Sequence, residues 1–339
     1  MSNRDFTRIL IEGAVNRTLS QLRRDPRRSL RNLVDLGVTF SRGRFQKPFL
    51  EMAQSMLENE ESAYYDLLDL LAGQVDPAHI KTFGINLGYE GLTKGAETIR
   101  QTEKLGGYNI PWAISMVCGG ALDQAAITHM IHQGMEQGVY VYGLLGRGVS
   151  LTMVQELSER FPRCAFFLVT TGSNLLSQSL EPLKSCNNLY ISVETGEEGM
   201  EACEALAGEE LFYGVHQIYR DDSCVAPEQL ERYMDYRPVA VLLIPENEGA
   251  YAQSQGIYQR AKEIRMSQKY PFVLIEALGD SLYIDQVISG DGCMLSILEN
   301  GDAQGINREG MRKNGNLLDL PLTQILRKNV PKAEKQGGK

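Results

Sequence analysis

Apolar residues recur every three or four positions in the N-terminal part of the chain, which is the spacing of one helix face. In the first segment they stand at Phe6, Ile9, Leu10, Ala14, Val15, Leu19 and Leu22. Asp-Pro pairs at 25–26 and 76–77 each place an N-cap residue before a proline at the first helical position. The pattern predicts helices over about 6–22, 26–40 and 62–72, one opening at Lys47-Pro48, and a long one from Pro77 to about Leu105.

The long helix predicted after Pro77 carries glycines at steps of four, three and four, namely Gly84, Gly88, Gly91 and Gly95. At helical spacing all four lie on one face. Each glycine costs a helix about 1 kcal/mol relative to alanine, so close packing has to compensate for the loss. We expect this face to pack within the same chain, with a second subunit as the alternative partner.

From Asn109 onwards, short apolar runs alternate with amphipathic stretches. The runs predict strands at Ile110–Met116, Val139–Leu144, Ala165–Val169, Leu189–Val193, Phe212–Ile218, Val239–Ile244 and Phe272–Ile275. The stretches between them predict helices at Asp123–Gln137, Leu151–Phe161, Ser179–Lys184, Glu198–Leu206, Pro227–Tyr236 and Gly256–Gln268. This alternation indicates right-handed βαβ units and a parallel sheet, which binds ligands at the carboxyl ends of its strands.

The pattern changes again near the C-terminus. The segment 289–292 indicates an irregular loop, 294–298 a strand, and Asn300-Gly301 a hairpin turn. Beyond Arg327 the chain is rich in lysine and glycine, and we expect it to be disordered. The predicted organisation is an N-terminal helical region (1–105), a partial barrel (106–285), a C-terminal extension (286–326) and a tail (327–339).

Composition narrows the class of protein. The 339 residues are 43% apolar and 23% charged, which suits one large α/β domain with a smaller addition. No apolar run approaches the roughly 20 residues that cross a bilayer, and no secretory signal is evident. We therefore expect a cytoplasmic protein, with peripheral membrane contact as an alternative.

The net charge of −9 is unevenly distributed. Residues 1–50 hold 11 Lys and Arg against 4 Asp and Glu, which leaves 23 against 39 in the remainder. A basic segment on an acidic body can contact an anionic membrane surface or the acidic face of another subunit, or it can be a solvated helix face. We expect no nucleic-acid partner.

The cysteines are scattered and the histidines lack evident partners. Six cysteines stand at 118, 164, 186, 203, 224 and 293, with no two closer than 17 residues. This spacing argues against a metal site and for reduced, buried thiols. His129 and His132 share one helix at i and i+3, where they could bind a metal only with carboxylates from elsewhere, so we expect them to face solvent. His216 lies within a predicted strand and is expected to be a hydrogen-bonded core residue.

One segment resembles a known superfamily. Residues 109–116, which read Asn-Ile-Pro-Trp-Ala-Ile-Ser-Met, are similar to the first strand of a clostridial-type, SPASM-like branch of the radical S-adenosylmethionine (SAM) enzymes. Further similarity lies at 58–68, 75–77, 139–142, 164–168, 170–173 and 192–194, so the resemblance spans about 58–305. It implies an α/β fold, namely a partial (β/α) TIM-type barrel with an N-terminal helical region and a short C-terminal β extension.

The resemblance fails where that superfamily holds its cofactors. Its first strand precedes three cysteines that bind a [4Fe–4S] cluster, whereas here Met116 is followed by a short loop with Cys118 alone. Its Gly-Gly-Glu motif, which binds the SAM ammonium, matches Gly146-Arg147-Gly148, and Val287 stands where an auxiliary cysteine is expected. The resemblance therefore implies a degenerate member of this superfamily that binds neither a cluster nor SAM.

Two functions follow from this resemblance. The first is a pseudoenzyme that positions a substrate or regulates a partner, which would be a second copy of this chain or an intact radical SAM paralogue. The alternative is an enzyme, or a small-molecule or anion binder, that uses the vacated barrel mouth for non-radical chemistry. We expect no catalytic residue, metal or cofactor of the radical SAM kind.

The strand ends would supply the lining of that mouth. The candidate ligand-binding residues are Arg147, Thr170, Thr171, Glu194, Tyr219, Arg220, Glu246 and Glu276. Carboxylates and arginines in one cleft can support acid–base chemistry or bind an anion, or they can form a mutual ion-pair network. We expect Arg147 to pair with Glu194, Glu246, Glu276 or a bound anion.

Overall fold

The computed structural model describes residues 3–22, 24–25, 27–29, 31–32, 34–35, 54, 57–246, 248–307 and 310–332. The N-terminal elements are α1 (Asn3–Leu22), α2 (Tyr64–Gln74), α3 (Pro77–Ile85), a π-helix (Asn86–Gly95) and α4 (Ala96–Gly106). The alternating part contains β1 (Ala113–Val117), α5 (Gln124–Gln137), β2 (Val141–Leu145), α6 (Leu151–Arg160), β3 (Ala165–Thr170), α7 (Gly172–Leu176), β4 (Leu189–Glu194), α8 (Glu197–Gly208), β5 (Tyr213–Tyr219), α9 (Pro227–Met234), β6 (Ala240–Pro245), α10 (Glu248–Ser267), β7 (Val273–Glu276) and α11 (Ala277–Ser289). The chain then forms β8 (Met294–Ile297), β9 (Asp302–Asn307), β10 (Gly310–Asn316) and α12 (Leu322–Asn329), and 3₁₀ helices lie at Glu181–Ser185 and Asp222–Val225.

The ten strands of the described residues form one sheet in the order β10-β9-β8-β1-β2-β3-β4-β5-β6-β7. Strands β1 to β8 run parallel to one another, whereas β9 and β10 are antiparallel additions beside β8 at one edge. From β1 to β7 each strand pairs with the next one along the chain, which is the strand order of a (β/α) barrel. The fold is therefore mixed α/β with a large, mostly parallel sheet.

The two edges of the parallel sheet meet at α11. Within the described residues no pairing joins β7 to β8. Instead, the Asp285 carboxylate on α11 accepts hydrogen bonds from the backbone N–H of Trp112 at 3.0 Å and of Cys293 at 2.9 Å. Trp112 directly precedes β1, and Cys293 directly precedes β8. One buried carboxylate thus links the helix after β7 to the starts of β1 and β8, so the sheet is curled into a partial barrel.

The amino ends of the strands are covered by α2, α3 and the π-helix. Phe83 packs its ring against Phe167 at 5.2 Å, Phe212 at 5.4 Å and Tyr190 at 6.0 Å between ring centroids. Polar groups of the same segment bind the loops that precede β3, β4 and β5, through Asn86 to Cys164, His79 to Cys186 and Asp76 to Glu210. The segment from 62 to 90 is therefore a floor under the barrel.

Only two of the four glycines that were predicted to form a packing face on the long helix are closely packed. Gly91 and Gly95 are closely packed, with Val141 and the backbone of Gly138 respectively within 3 Å of where a Cβ would lie. Among the described residues, nothing lies within 4 Å of that point at Gly84 or Gly88. The π-helix explains the difference, because its wider turn rotates residues off the face that α-helical spacing would give them.

Part of the basic N-terminal segment is used inside the molecule. Arg8 of α1 binds the Glu90 carboxylate, which is fully buried and also accepts hydrogen bonds from Arg163 at 2.9 and 2.7 Å. Lys94 lies 3.3 Å from the same carboxylate. Arg8 therefore joins α1 to the π-helix and, through Glu90, to Arg163 before β3, so this part of the basic segment has a structural role. The helix predicted at 48 lies outside the described residues.

Two boundaries predicted near the C-terminus are also wrong. The strand placed in a separate extension is β8, which pairs with β1 and is part of the barrel sheet. The tail beyond Arg327 is ordered as far as it is described, because α12 runs to Asn329 and Val330 is fully buried. The prediction of disorder rested on the lysine-rich composition of this segment. It was wrong because Asn329 and Val330 pack against the sheet. Residues 333–339 lie outside the described part.

Candidate functional site

The candidate residues lie at one end of the sheet because parallel strands end together. Thr170, Glu194, Tyr219 and Glu276 are the last residues of β3, β4, β5 and β7. Arg147, Thr171, Arg220 and Glu246 follow within two residues of a strand end. The structure separates them into one open charge pair and several closed contacts.

The open pair joins Arg147 and Glu194. Arg147 Nη2 lies 3.6 Å from Glu194 Oε1, which is an ion-pair distance and too long for a hydrogen bond. The Arg147 side chain is 79% exposed and that of Glu194 is 28% exposed. Within the described residues, neither side chain makes a hydrogen bond. Glu194 is thus one of the partners expected for Arg147, and both groups keep hydrogen-bonding capacity that water or a ligand can use.

Arg220 and Glu246 form the contrasting, closed pair. Arg220 donates from Nε to Glu246 Oε2 at 2.7 Å and from Nη2 to Oε1 at 2.6 Å. This two-point geometry is the strongest arrangement an arginine can make with a carboxylate. The hydrogen bonds raise the pKa of Arg220 and lower the pKa of Glu246. The pair connects the ends of β5 and β6, and each of the two side chains is the hydrogen-bond partner of the other.

Glu276 and Tyr219 are buried and do not face the mouth. Tyr219 donates its hydroxyl hydrogen to Glu276 Oε1 at 2.8 Å, and the Gly279 N–H donates to Oε2 at 2.5 Å. Burial raises the pKa of Glu276 to about 6. The carboxylate caps the N-terminus of α11. Its position at a strand end predicted that Glu276 would line the mouth. The structure instead shows that its side chain caps α11.

Thr170 and Thr171 also have local structural partners. Thr170 Oγ1 donates to the Gly146 carbonyl at 2.8 Å and accepts from Asn174 Nδ2 at 3.0 Å. Thr171 caps α7 by accepting from the Asn174 N–H at 3.2 Å. Both hydroxyls shape the loop after β3, and they add no charge to the mouth.

The sequence singled out one member of a polar pair inside the barrel, His216, which is a hydrogen-bonded core residue as expected, but it did not single out Ser192. Ser192 Oγ and His216 Nδ1 are 3.2 Å apart, and both residues are buried. Burial lowers the pKa of His216 to about 4, so the imidazole is neutral near pH 7. Ser192 stands between the apolar residues Ile191 and Val193, so nothing in the sequence distinguishes it from a core position.

The inner face of the sheet is open. In β1, and in the carboxyl-terminal halves of β2 and β3, every second residue is buried against the helices and the alternate residues are only half-buried. The half-buried apolar residues of this inner wall include Val117, Leu145, Val169, Ile218, Ile244 and Ile275. Parallel sheets usually have both faces covered. An accessible inner wall beneath Arg147 and Glu194 is therefore the feature that most resembles a ligand site.

The loop after β1 does not fit a cluster held by three thiolates. Cys118 is its one cysteine and is buried, and burial raises the pKa of the thiol to about 12. The loop folds back because the N–H groups of Ala121 and Leu122 donate to the Glu299 carbonyl at 3.0 and 3.1 Å. Among the described residues, no three His, Cys, Asp or Glu side chains come together as metal ligands would. His129 and His132 are exposed on α5, as expected.

A separate cavity lies at the opposite end of the barrel. It has a volume of about 390 Å³ and is lined by Asp66, Asp69, Leu70, Met234, Arg237, Pro238 and Pro271. These residues lie on α2 and beside the amino ends of β6 and β7. The cavity is thus on the floor side, away from the strand ends that carry the candidate charges.

Comparisons with known proteins give no family. No protein-family model matches the chain, and no curated protein matches it. Among solved structures, an enolase from Bradyrhizobium, determined with magnesium and mandelic acid, is similar over 75% of this chain and 73% of its own. The identity is 13% and the TM-score is 0.33. Every helix in the described part of the chain is too short or too polar to span a bilayer.

Proposed function

We propose that this chain is a non-catalytic barrel protein of the radical SAM kind, which positions a small molecule or regulates a partner. The observation that carries the proposal is the end of β1. A [4Fe–4S] cluster needs deprotonated cysteines, and the superfamily supplies three of them after its first strand. Here a single buried cysteine, Cys118, with its pKa raised to about 12, directly follows β1, and the loop that continues from it is bound to Glu299.

Arg147 supports the same proposal. The resemblance aligns Gly146-Arg147-Gly148 with the motif that carries a glutamate in the superfamily. A guanidinium at this position cannot accept the hydrogen bond that the superfamily's glutamate accepts from the SAM ammonium, and it repels the SAM sulfonium, because arginine has no acceptor and stays protonated at all ordinary pH values. The same side chain attracts an anionic group, so the exchange of charge favours a different ligand.

Anaerobic reconstitution tests the proposal. The protein is treated with iron and sulfide, desalted, and analysed for both elements beside a Cys118→Ala variant. We expect equal background amounts in the two proteins and no visible absorption band. Stoichiometric iron and sulfide that disappear in Cys118→Ala would overturn the proposal.

We also propose the kind of partner. A regulatory subunit needs a binding surface, and the excess of basic residues in 1–50 beside an acidic body favours electrostatic docking onto a second copy or an intact relative. Analytical ultracentrifugation of the full chain measures self-association as salt shortens the screening length from about 10 Å to about 3 Å. We expect association at low salt that weakens at high salt. A monomer at every salt concentration would eliminate the second copy as partner.

The open inner wall favours a second candidate function, a small-molecule binder with its own chemistry. Native mass spectrometry of the purified protein would detect a co-purified ligand. The Ile218→Trp variant fills the wall, whereas Met266→Trp, at an exposed position of α10, is the matched control. We expect ligand loss in the first variant alone. Equal retention by both would argue against this function.

A further inference from the structure

We propose that Arg147 and Glu194 together bind a small zwitterion of the α-amino-acid class, whose apolar side chain lies on the inner wall. The inference rests on the second candidate function, small-molecule binding. It goes further because it assigns a chemical class to the ligand and a role to each charge.

The two charge pairs at the mouth differ in what they leave available. Arg220 and Glu246 satisfy each other through two hydrogen bonds of 2.7 and 2.6 Å. Arg147 and Glu194 approach to 3.6 Å without a hydrogen bond between them. A guanidinium has five N–H donors, and a carboxylate has two acceptor oxygens. Arg147 and Glu194 are therefore a cation and an anion that lie close together, and each can still form hydrogen bonds to a ligand.

A zwitterion satisfies both groups at once. Its carboxylate can accept two parallel hydrogen bonds from Arg147, and its ammonium can donate to Glu194. A simple anion would take Arg147 away from Glu194 and leave that half-buried carboxylate without a counter-charge. A simple cation would do the reverse to Arg147. Leaving a charge unpaired is unfavourable, so opposite charges on adjacent ligand atoms complement this pair best.

The strand register places an apolar wall beside these charges. Glu194 is opposite His216, and Ile218 lies two residues further along β5 on the same face. Val169 is opposite Ser192, two residues before Glu194. With parallel strands about 4.8 Å apart and a rise of about 3.3 Å per residue, such diagonal positions are roughly 8 Å apart, within reach of a small side chain. Val169 and Ile218 are both half-buried, so a ligand side chain would find apolar surface to cover there.

The neighbouring polar pair does not compete for the charges. Ser192 and His216 are hydrogen-bonded to each other at 3.2 Å and are buried below the wall surface. The imidazole is neutral near pH 7, so this pair adds no charge beside Arg147 and Glu194. The site thus combines one cation, one anion and an aliphatic surface.

Calorimetric titration with L-leucine, L-methionine and L-phenylalanine tests the assignment. Isocaproate, which lacks the ammonium of leucine, and isoamylamine, which lacks its carboxylate, are the matched probes. We expect at least one amino acid to bind and its one-charge analogues to bind at least about tenfold more weakly, because each loses a charge-assisted hydrogen bond. Arg147→Met and Glu194→Gln should weaken amino-acid binding by about the same factor. Arg260→Met, which removes a surface cation paired with Asp222, should leave binding unchanged.

Three results would overturn the inference. These are no binding by any of the three amino acids, equal binding by isocaproate and leucine, and unchanged affinity in Arg147→Met. If isocaproate alone bound, and Ile218→Trp abolished that binding, small-molecule binding at the inner wall would stand while the zwitterion assignment failed. Circular dichroism of each variant verifies folding, which we expect to persist because Arg147 is mostly exposed.

Discussion

Tyr219 donates a hydrogen bond to Glu276 at 2.8 Å, and this contact connects the end of β5 to the end of β7 across β6. Glu276 also caps α11, the helix that joins the two edges of the sheet. The contact places a titratable group at the structural junction of the barrel. Stability should therefore depend on the protonation of Glu276.

Glu276→Gln should flatten the pH dependence of stability. Burial raises the pKa of Glu276 from 4.5 to about 6, so its protonated form favours the folded state. The stabilisation is complete below pH 4.5 and is lost as pH rises through 6, a loss of about 2 kcal/mol at 1.36 kcal/mol per pKa unit. Urea unfolding across this range should show that loss in the wild type and in an exposed Glu201→Gln control. A Glu276→Gln curve parallel to the wild type would contradict the assignment.

His216 should act in the opposite direction. Burial lowers its pKa from 6.5 to about 4, so the neutral imidazole favours the folded state. This contribution is fully present above pH 6.5 and is lost as pH falls through 4, at a cost of about 3 kcal/mol. NMR titration should find His216 neutral at pH 5 while the exposed His129 serves as reference. A His216 midpoint near 6.5 would show that the Ser192 pair is open to solvent.

Arg8→Met should loosen α1. The Glu90 carboxylate is buried, which alone would raise its pKa, but hydrogen bonds from Arg163 and Arg8 lower the pKa overall. Removing Arg8 deletes one charged partner and should cost about 2 kcal/mol. Hydrogen exchange of the α1 amides should accelerate, whereas Arg24→Met serves as the surface control. Unchanged exchange would mean that α1 is held by its other contacts.

Phe83→Ala should destabilise the whole barrel, because this side chain fills the floor between β3, β4 and β5. Truncation of a buried phenylalanine typically costs about 3–5 kcal/mol. The matched control is Leu105→Ala, whose side chain is 91% exposed and should matter by less than about 0.5 kcal/mol. Urea unfolding measures both. A loss below about 1 kcal/mol for Phe83→Ala would mean that the floor can detach while the sheet stays folded.

The strands were predictable because each is an apolar run between helical stretches, and all seven predicted runs overlap β1 to β7. Helix α11 was not predicted, since its buried positions include Asp285, which interrupts the apolar period. The pairing of β8 with β1 depends on contacts far apart in sequence and could not be read from a local pattern. The π-helix was equally invisible, because hydrogen-bond spacing leaves no mark in residue type.

The candidate site was predictable in part. The positions of Arg147 and Glu194 at strand ends correctly predicted that the two residues lie close together, because parallel strands end at the same edge of a sheet. The same reasoning wrongly placed Glu276 in the mouth, because sequence position does not reveal that its carboxylate turns back to cap the following helix. Ser192 was missed since a small polar residue among apolar neighbours looks like a core position.

The most direct test of the non-catalytic proposal is SAM turnover. The anaerobically reconstituted protein is mixed with SAM and dithionite, and 5′-deoxyadenosine is quantified by chromatography. We predict no more 5′-deoxyadenosine than a protein-free mixture gives, because a single buried thiol, Cys118, follows β1 and Arg147 follows β2. Release in proportion to the protein, abolished by Cys118→Ala, would contradict the account.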